Sequence, residues 1–184
     1  MNEPIYVYAA GPDVFDPAYP AIKQAIKDAC RAAGLVALCP ADDEIHGDGE
    51  RPLSQRIQEA NLAMIDRAHV VMANVRNFRG LEPDSGTVFE SGYARGKGKP
   101  VWCYNVPTSS LLDQVPQGSP GRDLQGHVIE DFGLGRNLML AHGCFQVSGG
   151  ADECIAQIAA WSRQQYSDHD LAKDDVGEQP ALTF

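Results

Sequence analysis

The chain has 184 residues, of which 43% are apolar, and this size predicts one globular domain over residues 1–166 with a polar, flexible tail over 167–184. Its formal net charge of −10 would repel a phosphate backbone, which excludes long DNA or RNA as a partner. No apolar run reaches the roughly 20 residues that a membrane span needs, and the first residues lack the basic and apolar regions of a leader, so we expect a cytoplasmic protein without a membrane partner.

Up to residue 104, short apolar runs alternate with segments of helical periodicity. The first strand is predicted at residues 5–10, and a helix at 18–33 follows it and ends before Gly34. The next elements are predicted as strands at 35–39, 70–75 and 101–104, with helices at 53–67 and 86–96 between them. Such alternation is typical of parallel strands covered by helices.

Residues 105–135 are rich in Gly, Pro, Asp and Gln and show no clear period. They predict a long loop region with room for one further strand or helix, and a loop of that length is usually functional. Beyond it, helices are predicted at 137–141 and 151–165, with a last strand at 144–147. The whole pattern predicts an open parallel sheet of about five strands.

Open parallel sheets bind ligands beyond the carboxyl ends of their strands. Residues 8–15, 40–45, 74–90 and the chain from 105 onward leave that edge, and we expect the cleft beyond the first, third and fourth strands. The basic run at 95–99 enters a strand instead, so it falls at the opposite pole. It lacks the pattern of a phosphate-binding P-loop, and we interpret it as a solvated turn.

The segment from residue 77 to 94 carries the most chemical information, because it leads from a strand into the start of a helix. Free N–H groups and the helix dipole favour negative charge there, so Glu90 is predicted to stay ionised, as a nucleophile must. Thr87 and Glu90 equally fit a capping box, in which the Glu only accepts from the N-cap amide. The residues alone leave both interpretations open.

Asp84 precedes Glu90 by six residues and brings a second carboxyl group to the same helix. Paired carboxyl groups in different surroundings can divide into a nucleophile and an acid, as they do in glycoside cleavage. The alternative for Asp84 is an Asx-turn before Gly86.

Several runs of this sequence resemble the nucleoside 2-deoxyribosyltransferase family, and the similarity spans most of residues 5–147. The matching runs are Tyr8-Ala9-Ala10-Gly11-Pro12, Ala73-Asn74 with Phe78-Arg79-Gly80, Asp84 through Ala94, Gly98-Lys99-Pro100-Val101, Glu130 through Leu134, and Asn137-Leu138-Met139-Leu140. Residues 78–80 and 131–133 look most like the purine-preferring branch, which implies a preference for purines.

The resemblance implies a flavodoxin-like (Rossmann-like) α/β fold with helices on both faces of the sheet. It also implies transfer of 2-deoxyribose between nucleobases, in which Glu90 attacks C1′, expels the base and forms a covalent glycosyl-Glu90 intermediate. Tyr8 would orient the Glu90 carboxylate, with Tyr6 as the alternative. Asp84 would hydrogen-bond or protonate the departing base.

Substrate contacts follow from the same resemblance. Asn137 and Met139 would hold the 5′-hydroxyl in a neighbouring subunit's site, which implies a homo-oligomer, a dimer or a hexamer, with shared active sites. Asn61 stands where some members carry an aspartate; it hydrogen-bonds but cannot act as an acid, and a polar surface position explains it equally well. Further contacts are implied for Gly11, Asp13, Phe15, Arg79 and Gly86.

Two rival functions stay open. Hydrolysis of 2′-deoxynucleoside 5′-monophosphates would need phosphate donors, for which Arg136, Ser109 and Ser110 are candidates. A noncatalytic nucleoside-binding module would use Asp84 and Glu90 only structurally. For the transferase, the expected partners are 2′-deoxynucleosides and free nucleobases. The five cysteines form no C-x-x-C pair and no zinc-binding spacing, so we expect no metal and no cofactor.

Overall fold

Parallel strands in the order β2-β1-β3-β4-β7 form the central sheet of the computed structural model, which describes residues 4–42, 45 and 50–174. The strands are β1 Ile5–Ala10, β2 Leu35–Leu38, β3 Val70–Asn74, β4 Val101–Tyr104, the hairpin strands β5 Gln117–Ser119 and β6 Arg122–Asp123, and β7 Phe145–Gln146. Every pairing within the sheet is parallel. The predicted open α/β sheet of about five strands is therefore confirmed.

Helices cover both faces of this sheet, as expected. They are α1 Tyr19–Ala32, α2 Leu53–Arg67, α3 Ser85–Gly96, α4 Leu111–Gln114, α5 Leu138–Gly143 and α6 Ala151–Asp174. Side chains of α1 and α6 pack with one face of the strands, and those of α2, α3 and α5 pack with the other. Because β3 is buried over its whole length, its near-continuous apolar sequence is what a central parallel strand requires.

Helix α6 extends further than the sequence predicted. It continues through Asp174, so the predicted end at residue 165 is wrong, and residues 167–174 of the predicted tail are helical. Once a helix exists, each added residue gains a backbone hydrogen bond at little cost, and no Gly or Pro interrupts this stretch. Apolar periodicity had ended earlier, which explains the early predicted end. Residues 175–184 of the tail lie outside the described residues.

The long segment at 105–135 holds more structure than one further element. It contains the short helix α4 and the hairpin of β5 and β6, and a 3-10 turn at Pro12–Phe15 is likewise new. The basic run at 95–99 is largely exposed, as predicted, although the Lys99 ammonium donates to the carbonyl of Asp66 at 2.9 Å. Within the described ranges, no helix has the length and apolarity needed to cross a membrane.

Candidate active site

A cleft of about 500 Å³ opens above the carboxyl ends of β1 and β2 and beside the start of α3. Its walls come from Gly11, Val14, Phe15, Pro40, Ala41, Ile45, Ile57, Asn61, Asp84, Gly86 and Glu90. These segments follow β1, β2 and β3, so the expected position beyond the fourth strand is wrong. The reason is that the chain after β4 turns toward α4 instead of toward this cleft.

Tyr8 and Glu90 meet at the cleft although 82 residues separate them. The Tyr8 hydroxyl donates to Glu90 Oε1 at 2.7 Å, and the tyrosine side chain is fully buried. Tyr6, two residues earlier on the same strand face, instead stacks on His69 with ring centroids 5.8 Å apart. Of the two tyrosines offered by the sequence, the structure therefore brings Tyr8 to the carboxylate.

Burial dominates the electrostatics of Glu90. Desolvation raises the pKa of this carboxyl from 4.5 to about 6, the Tyr8 hydrogen bond opposes that rise, the charge of Asp84 adds to it, and the Asn61 amide opposes it. Glu90 is the sixth residue of α3, beyond the first turn where a helix dipole acts strongly. The dipole argument for a firmly ionised Glu90 is therefore wrong, although a pKa near 6 still leaves the group mainly ionised at pH 7.

The N-cap of α3 is Asp84. Its Oδ2 accepts from the Thr87 amide at 2.9 Å and from the Thr87 hydroxyl at 3.1 Å. The capping box that would pair Thr87 with Glu90 is therefore wrong, because Thr87 is already the third helical residue and Glu90 turns toward Tyr8. Asp84 combines a capping role with a place in the cleft wall.

Two glycines of the cleft wall leave room for neighbouring side chains. A Cβ on Gly86 would lie 3.0 Å from Asp84 Oδ2, and a Cβ on Gly11 would lie 2.9 Å from the Asn74 Cβ. Both glycines line the cleft, as does Asn61, whose Nδ2 lies 3.4 Å from Glu90 Oε1. The sequence-predicted Asn61, Gly11 and Gly86 thus lie together with Tyr8, Asp84 and Glu90.

Phe15 lines the cleft and remains 56% exposed. Its ring stacks on Phe78 at a centroid distance of 5.4 Å, and the Arg79 guanidinium lies 5.1 Å from the Phe15 ring and 4.6 Å from the Phe78 ring. Arg79 itself is not part of the cleft wall, so in this structure it supports Phe15 from outside.

Asp13 is turned away from the cleft. Both of its carboxylate oxygens accept from Asn74 Nδ2, at 2.9 and 3.1 Å, and Oδ1 lies 3.4 Å from Arg76 Nη2. The 3-10 turn that follows Gly11 separates Asp13 from Phe15, which faces the cleft. The predicted substrate contact of Asp13 therefore has no support in this geometry.

Asn137 and Met139 lie away from the Glu90 cleft of their own chain. They line a separate cavity of about 410 Å³ with α3 residues that include Val88 and Gly92. Asn137 Oδ1 caps α5 by accepting from the Met139 amide at 3.0 Å, and its Nδ2 donates to Glu130 Oε1 at 2.5 Å. The Met139 side chain is 74% exposed.

Apart from Phe15, the apolar residues of the cleft wall were missed by sequence reasoning. Ile57 and Asn61 are four residues apart on α2, and that spacing places both on one helix face, which was the available signal. Val14 lies in a single 3-10 turn, and Pro40 and Ala41 follow β2 outside any helix or strand. Segments this short show no residue period from which the direction of these side chains could be predicted.

The phosphate ligands suggested for a monophosphate hydrolase do not line this cleft. Arg136 is fully buried and bonded to main-chain carbonyls, so its suggested phosphate role is wrong. Ser110 caps α4 by accepting from the Asp113 amide. In the part of the chain that the structure describes, no cluster of three or more His, Cys, Asp or Glu side chains is arranged to hold a metal ion.

Comparison with known proteins identifies relatives in structure and in sequence. A solved 2-desoxiribosyltransferase from Leishmania mexicana superposes with a TM-score of 0.73 at 30% identity, over 85% of this chain and 98% of that one. A conserved protein from Enterococcus faecalis, at 18% identity, shares the fold with a TM-score of 0.54, over 84% of this chain and 99% of that one. An uncharacterised protein of Schizosaccharomyces pombe is 25% identical over 166 residues, which is 78% of each chain.

The family assignment itself follows from the sequence model named nucleoside 2-deoxyribosyltransferase, which matches residues 7–139. This match begins within β1, ends at the second residue of α5, and contains Tyr8, Asp84 and Glu90. The chain belongs to the nucleoside 2-deoxyribosyltransferase family.

Proposed function

We propose that this protein transfers 2-deoxyribose between nucleobases through a covalent intermediate on Glu90. The observation that carries the proposal is the hydrogen bond from the buried Tyr8 hydroxyl to Glu90 Oε1 in an open cleft of about 500 Å³. A partly buried carboxylate with a fixed orientation at an accessible cleft is the arrangement that a nucleophile needs.

The two oxygens of Glu90 differ in a way that supports attack by one of them. Tyr8 and Asn61 both donate to Oε1, so Oε2 is the oxygen available to C1′ of the sugar. As the Oε2–C1′ bond forms, the bond from C1′ to the base nitrogen breaks and its electron pair leaves with the base. The negative carboxylate stabilises the positive charge that develops on the sugar.

Asp84 is the group that delivers a proton to the departing base. Its capping bonds occupy Oδ2, which leaves Oδ1 for a substrate in the cleft. A second base then attacks C1′, returns its proton to Asp84 and releases Glu90. Attack by water in place of a base would give free deoxyribose.

The apolar wall fits a planar heterocycle. Val14, Phe15 and Ile57 offer flat and aliphatic surfaces, and Phe15 is held in place by Phe78 and Arg79. A volume of about 500 Å³ lies within the usual range for small-molecule sites. The likeness of residues 78–80 to the purine branch supports a purine preference.

We further propose that the site is completed by a second copy of the chain, in a homo-oligomer. Asn137 and Met139 are outside their own cleft, and Met139 and Val88 expose apolar surface around the 410 Å³ cavity. A partner that covers this surface would bury it, which favours association. It would also carry Asn137 to the 5′-hydroxyl of the substrate in the neighbouring cleft.

The test is to incubate the protein with a 2′-deoxynucleoside and a different free base and to separate the products by chromatography. Base exchange supports the proposal, and its rates with purine and pyrimidine donors test the preference. Release of deoxyribose without exchange would instead establish a hydrolase. Absence of any product, from a folded protein that still binds the nucleoside, would establish a binding module.

A further inference from the structure

Arg136 is a fully buried cation outside the cleft. Its hydrogen-bond partners belong to the loop between β3 and α3, except for Gln114 Oε1 of α4 at 3.5 Å from Nη1. Its Nε and Nη2 donate to the Val75 carbonyl at 2.9 and 2.6 Å, and Nη1 donates to the Leu81 carbonyl at 3.0 Å. Nη2 also donates to Asn77 Oδ1 at 2.5 Å. One guanidinium thus binds both ends of the same loop.

These hydrogen bonds supply donors to main-chain carbonyls in a loop without regular secondary structure. Residues 76–83 belong to no helix or strand, and Val75 and Leu81 present carbonyls whose acceptor sites a planar guanidinium can satisfy together. Burying a charge is costly unless hydrogen bonds replace its hydration, so this arrangement persists only because the loop carbonyls are in place. Arg136 and the loop therefore order each other.

The loop bears directly on the cleft. It ends at Asp84, which caps α3 and lines the cleft, and its middle carries Phe78, which stacks on Phe15. A shift of the loop would move the Asp84 carboxyl relative to a bound base, while Tyr8 and Glu90, which stand on β1 and α3, would keep their bond.

We propose that Arg136 is a positioning residue for proton delivery to the leaving base, because it fixes the loop that sets the approach of Asp84. This inference rests on the proposed deoxyribosyl transfer and assigns Arg136 a role in its first half-reaction. Arg136 contacts no substrate; it acts through the loop.

The test uses two donors that differ in their need for a proton. The base of 2′-deoxyguanosine leaves readily only when it is protonated or accepts a hydrogen bond. The base of 7-methyl-2′-deoxyguanosine already carries a positive charge and leaves as a neutral molecule without added protonation. We expect Arg136→Lys, which keeps the charge and loses the planar fork, to lower kcat with 2′-deoxyguanosine by at least about tenfold, and with the methylated donor by less than about threefold. Asn77→Ala should give the same donor dependence in weaker form.

The matched control is Ile158→Ala, which leaves a cavity where α6 packs against the opposite face of the sheet. It should lower the melting temperature at least as much as Arg136→Lys and affect both donors equally. If Arg136→Lys does not fold, the two donors are compared with Asn77→Ala instead, because Asn77 is an exposed residue whose replacement is expected to leave the fold intact. Equal losses with both donors, or unchanged kcat, would overturn the inference. Wild-type protein that turns over neither donor would instead overturn the proposed function.

Discussion

The Glu90 cleft and the surface around α5 place their polar groups in opposite ways. In the cleft, Glu90 accepts hydrogen bonds from the fully buried Tyr8 and the partly buried Asn61 of the same chain. On α5, Asn137 is held by Glu130 but faces a cavity next to exposed apolar side chains such as Met139. The contrast indicates that the Glu90 carboxylate is held by residues of one chain, whereas α5 presents Asn137 and Met139 at the protein surface.

The largest expected effect comes from removing the proposed nucleophile. Glu90→Gln retains hydrogen bonding to Tyr8 but cannot bond to C1′, so turnover should fall by about four orders of magnitude or more while the fold persists. Circular dichroism and the exchange assay measure the two effects. Mass spectrometry of wild type incubated with a deoxynucleoside alone should show a deoxyribosyl adduct on the peptide that contains Glu90. Substantial base exchange by folded Glu90→Gln would remove the nucleophile assignment.

The second test asks whether α5 serves another subunit. Asn137→Ala should lower exchange by about 100-fold, because the sugar loses a positioning contact. In co-expressed mixed oligomers, a Glu90→Gln subunit still offers Asn137, and an Asn137→Ala subunit still offers Glu90. The mixture should therefore regain activity that neither variant has alone. The control is a mixture of two separately assembled homo-oligomers, which should show no more activity than its Asn137→Ala component has alone. If mixed assemblies recover nothing, each chain uses its own Asn137 or none.

The pH profile sharpens the description of the cleft. Because burial raises the pKa of Glu90 to about 6, kcat/KM should decrease below about pH 6 as the nucleophile becomes protonated. The charge of Asp84 adds to that rise, so Asp84→Asn should move the acidic limb to lower pH while keeping the helix cap. Activity itself should also decrease because the amide cannot supply a proton. An acidic limb that does not move in Asp84→Asn would show that the two carboxyl groups do not interact.

The smallest effect concerns stability. The pKa of Glu90 is raised in the folded protein, so the folded state binds its proton more tightly than the unfolded state between pH 4.5 and about 6. Ionisation of Glu90 above this pH window therefore lowers the free energy of unfolding. Glu90→Gln removes that cost and should raise the free energy of unfolding at pH 8 by about 1 to 2 kcal/mol, with the difference closing below pH 4.5. Urea titrations at the two pH values measure it, and equal stabilities at pH 8 would contradict it.

The sheet and its helices followed from the sequence because apolar periodicity is local and each strand and helix buries one side or both. The candidate site residues came largely from motif resemblance, and the structure brings two of them, Tyr8 and Glu90, into hydrogen-bond contact. Asp13 and Arg136 were not predictable in this way. Their partners Asn74 and Val75 are each 61 residues away in the sequence. Such distant segments become neighbours only when the strands assemble into the sheet. The end of α6 was missed because a helix can continue beyond the last residue of its apolar periodicity.

The residues that line the apolar wall of the cleft are different from the polar residues proposed to break the glycosidic bond. Val14, Ala41 and Ile57 come from three segments, and the carboxyl and hydroxyl groups of Asp84, Glu90 and Tyr8 are held by bonds in which those three side chains take no part. Under the proposed function, replacements that change the volume of the wall would alter which base fits without disturbing the groups that break the glycosidic bond. New base preferences are therefore accessible through single substitutions in the wall, and the reaction centre can stay unchanged while the range of nucleosides it accepts is redesigned.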